Sequence, residues 1–212
     1  NALEPFWEAR FESTSYGFRP GRSTHDAVKD VLFGLNTGRR QWILDADIKG
    51  AFDNINHNQL MEIIGLFPAR FLIRKWLKAG VMEKGVLSFP EKGSPQGGVI
   101  SPLLSNIYLH YVIDLWVELD VKPRMAGPVE LIRFADDLLL IFKNQHDAER
   151  VHDALPKRFL KFGLSVHPQK TQLVRFEAPW RMKGKEPDTF DFLGFTHYWG
   201  KSRRGKWIVK RK

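Results

Sequence analysis

The sequence predicts an α+β fold, and three observations carry that prediction. Apolar residues recur at helical spacing in several segments, most clearly after Ser101; apolar runs of strand length are joined as hairpins rather than through helical crossovers; and no repeat or low-complexity linker interrupts the 212 residues. A chain of this length buries roughly two thirds of its unfolded surface as one compact unit. Composition agrees, because 43% hydrophobic residues, 16 Phe and 7 Trp describe a globular core rather than a disordered chain. No apolar stretch approaches the roughly 20 residues that span a bilayer, and the N-terminus lacks a basic-then-apolar signal pattern, so neither a membrane protein nor a secretory precursor is expected. The absence of Cys excludes disulfides and every cysteine-ligated zinc or iron–sulfur site.

Each element has a local reason. Ser23 with Asp26 reads as a capping box opening a helix through about Leu35, and residues 41–48 read as a strand. Residues 56–64 and 69–79 are expected to be helical. Ser101 as N-cap, with Pro102 at the first helical position, starts the clearest helix, with Leu104, Ile107, Tyr108, Tyr111, Val112, Leu115 and Leu119 on one packed face. Residues 131–134 and 138–142 form a hairpin through Ala-Asp-Asp, which puts Asp136 and Asp137 at its turn. Asn144 caps a helix toward Phe162 that Pro156 should kink or restart and Gly163 should stop. Strands at 172–176 and 190–198 and a basic hairpin complete the chain.

The net charge of +9 favours a polyanionic partner, but its location matters. Residues 201–212 hold Lys201, Arg203, Arg204, Lys206, Lys210, Arg211 and Lys212 and no acid, which leaves 26 basic against 24 acidic side chains in the first 200 residues. That run reads either as a solvated tail or as a surface that tracks phosphates.

The carboxylates are the chemical anomaly. On the strand at 41–48, a period of two puts Asp45 and Asp47 on one face and Leu44, Ala46 and Ile48 on the other. The hairpin adds two carboxylates to strands that otherwise look fully buried, where like charges repel unless protonated or bound to a cation. A hard divalent ion, Mg²⁺ first, needs only oxygen ligands. The seven dispersed His show no His-Glu-x-x-His spacing, no serine nucleophile elbow is present, and the Gly-rich turn from Lys92 to Gly98 lacks the Lys-Ser/Thr ending of a P-loop. Periodicity alone does not choose between Asp45 and Asp47.

Taken in order, Tyr16-Gly-Phe-Arg-Pro-Gly-Arg-Ser23, Asp47-Ile-Lys-Gly-Ala-Phe-Asp-Asn-Ile55, Gly93-Ser-Pro-Gln-Gly-Gly-Val-Ile-Ser-Pro-Leu-Leu-Ser-Asn106, Phe134-Ala-Asp-Asp137, Lys170-Thr171 and Phe192-Leu-Gly-Phe195 resemble the successive blocks of reverse transcriptases, most closely those encoded by group II introns. The resemblance covers nearly the whole chain. It implies a right-hand polymerase palm, an antiparallel sheet with packed helices, and part of the fingers; the first fingers blocks and the thumb are expected outside residues 1–212. It further implies that Asp47, Asp136 and Asp137 are the catalytic carboxylates holding two Mg²⁺ ions (Mn²⁺ as a substitute), helped by the main-chain carbonyl of Ile48. Phe52 matches the aromatic that closes the nucleotide pocket against a 2′-hydroxyl, Gln96 the glutamine that contacts the incoming nucleotide, and Lys170 a lysine near the pyrophosphate. Phe134 stands where the family usually has Tyr and is expected under the primer terminus, Leu193 and Gly194 lie in the loop gripping the primer end, and Arg19 and Arg22 make template or structural contacts.

The implied activity is RNA-directed DNA synthesis: transfer of a nucleotide from a dNTP to a DNA primer 3′-hydroxyl on an RNA template, with intron RNA as a further partner in splicing (maturase activity). The alternative is a reverse-transcriptase-like scaffold that binds RNA without polymerising in this segment. Another two-metal enzyme on a related palm, a nucleotide cyclase or nuclease, is disfavoured by the blocks around Phe52, Gln96 and Leu193. A bacterial cytoplasm is the expected setting, with an organelle as the other; no membrane partner is expected, and the sequence is silent on oligomeric state.

Overall fold

The computed structural model describes residues 3–36, 40–79, 81–83, 86–88, 92–93, 98–182 and 188–212, with the backbone alone for 81–83 and 86–88. Its centre is a four-stranded antiparallel sheet in the order β4-β5-β1-β6, made from β1 (Trp42–Asp47), β4 (Val129–Phe134), β5 (Asp137–Phe142) and β6 (Gln172–Arg175). The two inner strands, β1 and β5, carry the carboxylates. A short hairpin, β2 (Val81–Glu83) with β3 (Val86–Ser88), and a three-stranded sheet, β7 (Phe190–Phe192), β8 (Phe195–Lys201) and β9 (Trp207–Arg211), complete the strands.

Both faces of the central sheet are covered, which explains why β5 reads as an unbroken apolar run. On one face Leu44, Ala46, Leu138, Leu140 and Phe142 join the larger core with α3 (His57–Ile64), α5 (Ser101–Leu109) and α6 (Gln145–Leu160). On the other, Ile43, Ile132, Leu139 and Ile141 pack under α2 (Thr24–Asn36) and against Phe190, Trp199 and Val209 of the second sheet. Two further helices, α1 (Leu3–Glu8) and α4 (Arg70–Leu77), add Leu3, Trp7, Ile73 and Leu77 to the larger core. Burying each Leu, Ile, Val or Phe among these stabilises the fold by about 1.5–3 kcal/mol. Among the described residues no helix is long and apolar enough to cross a membrane.

Several local expectations hold. The Ser23 hydroxyl and amide both meet the Asp26 carboxylate (2.6 and 2.9 Å), closing the capping box of α2, and Asn56 caps α3 by accepting from the Gln59 amide at 3.1 Å. Four differ. Asp137 is the first residue of β5, paired with both Phe134 and Asp47, so the hairpin turn is Ala135-Asp136 alone. The helix after Ser101 is capped at Ile100 and widens into π-helical turns at His110–Asp114 and Val117–Val121. A π turn takes more residues than an α turn, so the inward stripe drifts to Ile113, Val117 and Val121 while Tyr111 and Leu119 turn outward. Helix α6 runs through Pro156 as one element, and the span 190–198 is broken into two strands by a tight turn at Leu193-Gly194. The basic run forms the expected hairpin, here β8–β9, with Val209 buried and its amide donating to Asn36 Oδ1 at 2.8 Å.

Candidate active site

Period two decides which side chains share a space. Asp45 and Asp47 lie on the β1 face that carries Ile43, and Asp137 lies directly across from Asp47 in the β1–β5 register, with Asp136 one residue earlier in the turn. The turn is tight enough to hold Ala135 at φ 55°, a left-handed conformation that costs a non-glycine residue free energy. Three carboxylates are thus gathered at the β1–β5 end of one sheet face. Asp137 is pushed up to about 6, first by burial and then by the charges of Asp136 and Asp47, with Lys170 opposing. Asp136 is raised by burial and by Asp47. Asp45 is also raised to about 6, mainly by burial, with Asp137, Asp47 and Asp191 adding to it and a hydrogen bond from Gln172 opposing.

A loop from Ser165 to Lys170 runs along the end of β1. The Lys49 amide donates to the Ser165 carbonyl (2.9 Å) and the His167 amide to the Asp47 carbonyl (2.8 Å), flanking the bridge between Ile48 and Val166. This docking brings the Lys170 ammonium to Asp47 Oδ2 at 2.5 Å, and the Asp47 carboxylate raises the Lys170 pKa through that hydrogen bond. The Ile48 side chain is in the larger core.

Beyond Lys49, the chain turns through Gly50 into a single 3₁₀ turn, Phe52–Asn54, which leaves Phe52 half-buried. Its ring meets Phe18 edge to face, with centroids 6.1 Å apart. The start of the Gly-rich turn docks beside it: the Gly93 amide donates to the Ile55 carbonyl (2.8 Å), and a Cβ at Gly93 would lie 2.8 Å from the Asp53 carbonyl oxygen. Lys92 donates to Asn54 Oδ1 at 2.8 Å. Gln96 lies outside the described residues.

The other expected contacts divide. Phe134 is half-buried against the smaller core, paired with Asp137. Leu193 and Gly194 both have positive φ, as a two-residue hairpin turn between Phe192 and Phe195 requires. Arg22 is exposed, donating to the Ser13 carbonyl at 3.1 Å. Arg19 is buried, and its guanidinium is committed to Glu8 (3.0 Å) and to the carbonyls of Glu12 and Ser15 (2.7 and 2.6 Å). Of its two expected roles, the geometry corresponds to the structural one.

Sequence reasoning missed a buried polar network directly behind the carboxylate turn. Arg133, fully buried on β4, donates to both oxygens of Asp114 at 2.7 Å, to Asn106 Oδ1 at 2.9 Å and to the Ala135 carbonyl at 3.1 Å. Burial raises the Asp114 pKa, and Arg133, with help from His110, more than offsets it, so the net shift is downward. Asn106 passes the order on by donating to the Gly17 carbonyl at 2.7 Å, and Gly17 packs so closely that a Cβ there would lie 2.3 Å from the Ala135 amide. A signal was present: Asn106, His110 and Asp114 recur every four residues in an otherwise apolar helix, and Arg133 interrupts an apolar strand.

Among the described residues no three His, Asp or Glu side chains converge as a formed metal site. The chemistry of the donor set nonetheless fits a hard divalent cation: three carboxylates, on β1, on β5 and in the turn before β5, that repel one another, with the Lys170 ammonium drawn against one of them.

An antiparallel sheet with acidic residues at the junction of its two central strands, covered by helices, describes a polymerase palm. Residues 1–197 match the model of the reverse transcriptase (RNA-dependent DNA polymerase) family, and the chain belongs to that family. Within it, the chain is similar to the group II intron-encoded protein LtrA of Lactococcus lactis subsp. cremoris, 43% identical over 130 residues, covering 59% of this chain and 21% of that protein. It is also similar to Protein YkfC of Escherichia coli, 42% identical over 116 residues, covering 51% of this chain and 30% of that protein. The chain therefore spans less than a third of the length of either relative. In fold it resembles the apo telomerase of Candida tropicalis, with a TM-score of 0.69 at 15% identity, covering 93% of this chain and 38% of that structure.

Proposed function

We propose that this chain is the catalytic palm of an RNA-directed DNA polymerase of group II intron type, in which Asp47, Asp136 and Asp137 hold divalent metal for nucleotide transfer to a primer 3′-hydroxyl. The observation that carries the reading is the cross-strand pairing of Asp47 with Asp137, next to the Asp136 turn, with the carboxyls of Asp136 and Asp137 raised by burial and mutual repulsion. Bound Mg²⁺, or Mn²⁺ in its place, supplies neutralisation of those carboxylates, a lowered pKa for a hydroxyl and stabilisation of a pyrophosphate leaving group.

The chain's own residues do the positioning. The antiparallel pairing of β1 and β5 fixes the spacing of Asp47 and Asp137, and the left-handed Ala135 sets where Asp136 projects from the turn. Lys170, exposed and paired with Asp47, is placed to exchange that carboxylate for a phosphate oxygen when substrate arrives. Phe52 presents an apolar ring to the sugar, so that a 2′-hydroxyl meets a wall rather than a hydrogen-bond partner. Gln96 would contact the same nucleotide, Phe134 would pack under the primer terminus, and the Leu193-Gly194 turn would support the primer strand. Exposed cations at the β8–β9 turn, Arg203, Arg204 and Lys206, suit phosphate tracking along template or intron RNA. Binding of intron RNA to assist splicing belongs to the same proposal.

The test is the dependence of pyrophosphate release on substrate, measured with a primer-extension-competent polypeptide containing residues 1–212. Release should require a primed RNA template together with dNTP and Mg²⁺. Release from free nucleotide alone would instead identify a cyclase-like enzyme, and RNA binding with no release at all would identify a splicing scaffold.

A further inference from the structure

Phe18 combines features that packing alone does not explain. It is 57% exposed, yet it adopts φ 58°, a left-handed backbone that a bulky residue avoids. Such strain persists only where the surroundings over-determine it. Here both flanks are anchored. On one side the Tyr16 amide donates to the Arg133 carbonyl (2.8 Å), the Arg133 amide to the Thr14 carbonyl (2.9 Å), and Asn106 holds the Gly17 carbonyl. On the other, the Arg19 guanidinium is pinned to Glu8, Glu12 and Ser15. Between these anchors, Phe18 has its ring edge to face with Phe52, at an interplanar angle of 77°.

We infer that Phe18 is a positioning residue for sugar selection, bracing Phe52 so that its ring forms an unyielding wall against a 2′-hydroxyl; this rests on Phe52 facing the sugar of the incoming nucleotide. Steric exclusion needs a wall that does not move, and Phe52 sits half-buried in a single 3₁₀ turn, where a second ring packed against it restrains its motion. Among the described residues the aromatic ring that meets it is Phe18. The Arg133–Asn106–Gly17 chain then ties two functions to one scaffold, because the same guanidinium that binds the Ala135 carbonyl beside the acidic turn fixes the loop that carries Phe18.

The experiment is a double-mutant cycle on the ratio of kcat/KM for ribonucleotide against deoxyribonucleotide, on one RNA template, in a primer-extension-competent polypeptide containing residues 1–212. Phe18 is exposed, so Phe18→Ala should fold. It should raise ribonucleotide use about threefold or more, the scale of removing one edge-to-face ring pair, while Phe18→Tyr, which keeps the ring, should leave the ratio at the parent value. Phe52→Val should raise it about tenfold or more, and the double variant should match Phe52→Val alone, because a brace has no effect once its ring is gone. A ratio unmoved by Phe18→Ala while Phe52→Val shifts it would overturn the brace and leave Phe52 as the gate. Additive effects in the double variant would also overturn it. A ratio unmoved by Phe52→Val would overturn the gate, and the brace with it.

Discussion

Replacing Arg133 by Met removes the cation from a site with no access to water. Arg133 is 0% exposed and Asp114 is 1% exposed. The side chain makes four hydrogen bonds, two of them to the Asp114 carboxylate at 2.7 Å, and without it that carboxylate keeps, among the described residues, the His110 ring nitrogen Nδ1 at 3.4 Å. Leaving one partner of a buried pair uncompensated costs about 3–5 kcal/mol. For a chain of this size that corresponds to a loss of roughly 6–20 °C in melting temperature. Combining Arg133→Met with Asp114→Leu removes both charges and should recover at least half of the loss; the remainder reflects Asn106 Oδ1 and the Ala135 carbonyl, which stay without their donor. Urea unfolding of the single and double variants gives both numbers. A single-variant loss below about 1 kcal/mol, or a double variant as unstable as the sum of the singles, would refute the idea that this pair holds the acidic turn.

Other outcomes follow from the same geometry. Asp45, pushed up to about 6 by burial with the neighbouring acids adding to it, binds its proton more tightly folded than unfolded, so its contribution to stability is complete below about pH 4 and is lost as pH rises through about 6. In metal-free protein Asp45→Asn should therefore leave the melting temperature almost unchanged near pH 4 and raise it near pH 7.5; an equal gap at both would contradict the shift. Deleting residues 201–212 should unfold the smaller core, because it removes β9 and the buried Val209, whereas changing Arg203, Arg204 and Lys206 to Ser should preserve the melting temperature. The triple change should flatten the slope of log RNA affinity against log salt by about 0.7 for each phosphate that the turn no longer neutralises, and an unchanged slope would make the turn a bystander.

What the sequence made legible was whatever local chemistry determines. Ser23 and Asp26 cap α2 because a side chain three residues away is within reach of the backbone, and β1 separates Asp45 and Asp47 from Leu44 and Ala46 because the pleat does. Position along the chain placed Asp136 and Asp137 together, but only the register shows that Asp137 belongs to the strand and faces Asp47. The π-helical turns escaped because they are set by tertiary packing: a 3.6 period assigned Tyr111 and Leu119 inward, and the polar residues at 106, 110 and 114 needed Arg133, far along the chain, to explain them. The basic run was legible as a hairpin because its pairing is local, whereas the burial of Val209 in the smaller core and its amide's bond to Asn36 depend on residues far along the chain. Phe18 lies within the Tyr16–Ser23 motif, yet its packing on Phe52 depends on a loop held in place by Asn106 and Arg19.

The proposed function rests on the carboxylates, and the measurement that tests it most directly is Mg²⁺-dependent primer extension on an RNA template by Asp136→Asn and Asp137→Asn variants of a competent polypeptide containing residues 1–212. Each should lose activity by about 10³-fold or more, the scale of a metal-stabilised transition state, while remaining folded and, without metal, at least as stable as the parent, because the change relieves repulsion with Asp47. Variants that extend primers at the parent rate, or that lose activity only because they unfold, would show that these side chains are structural and that the site lies elsewhere.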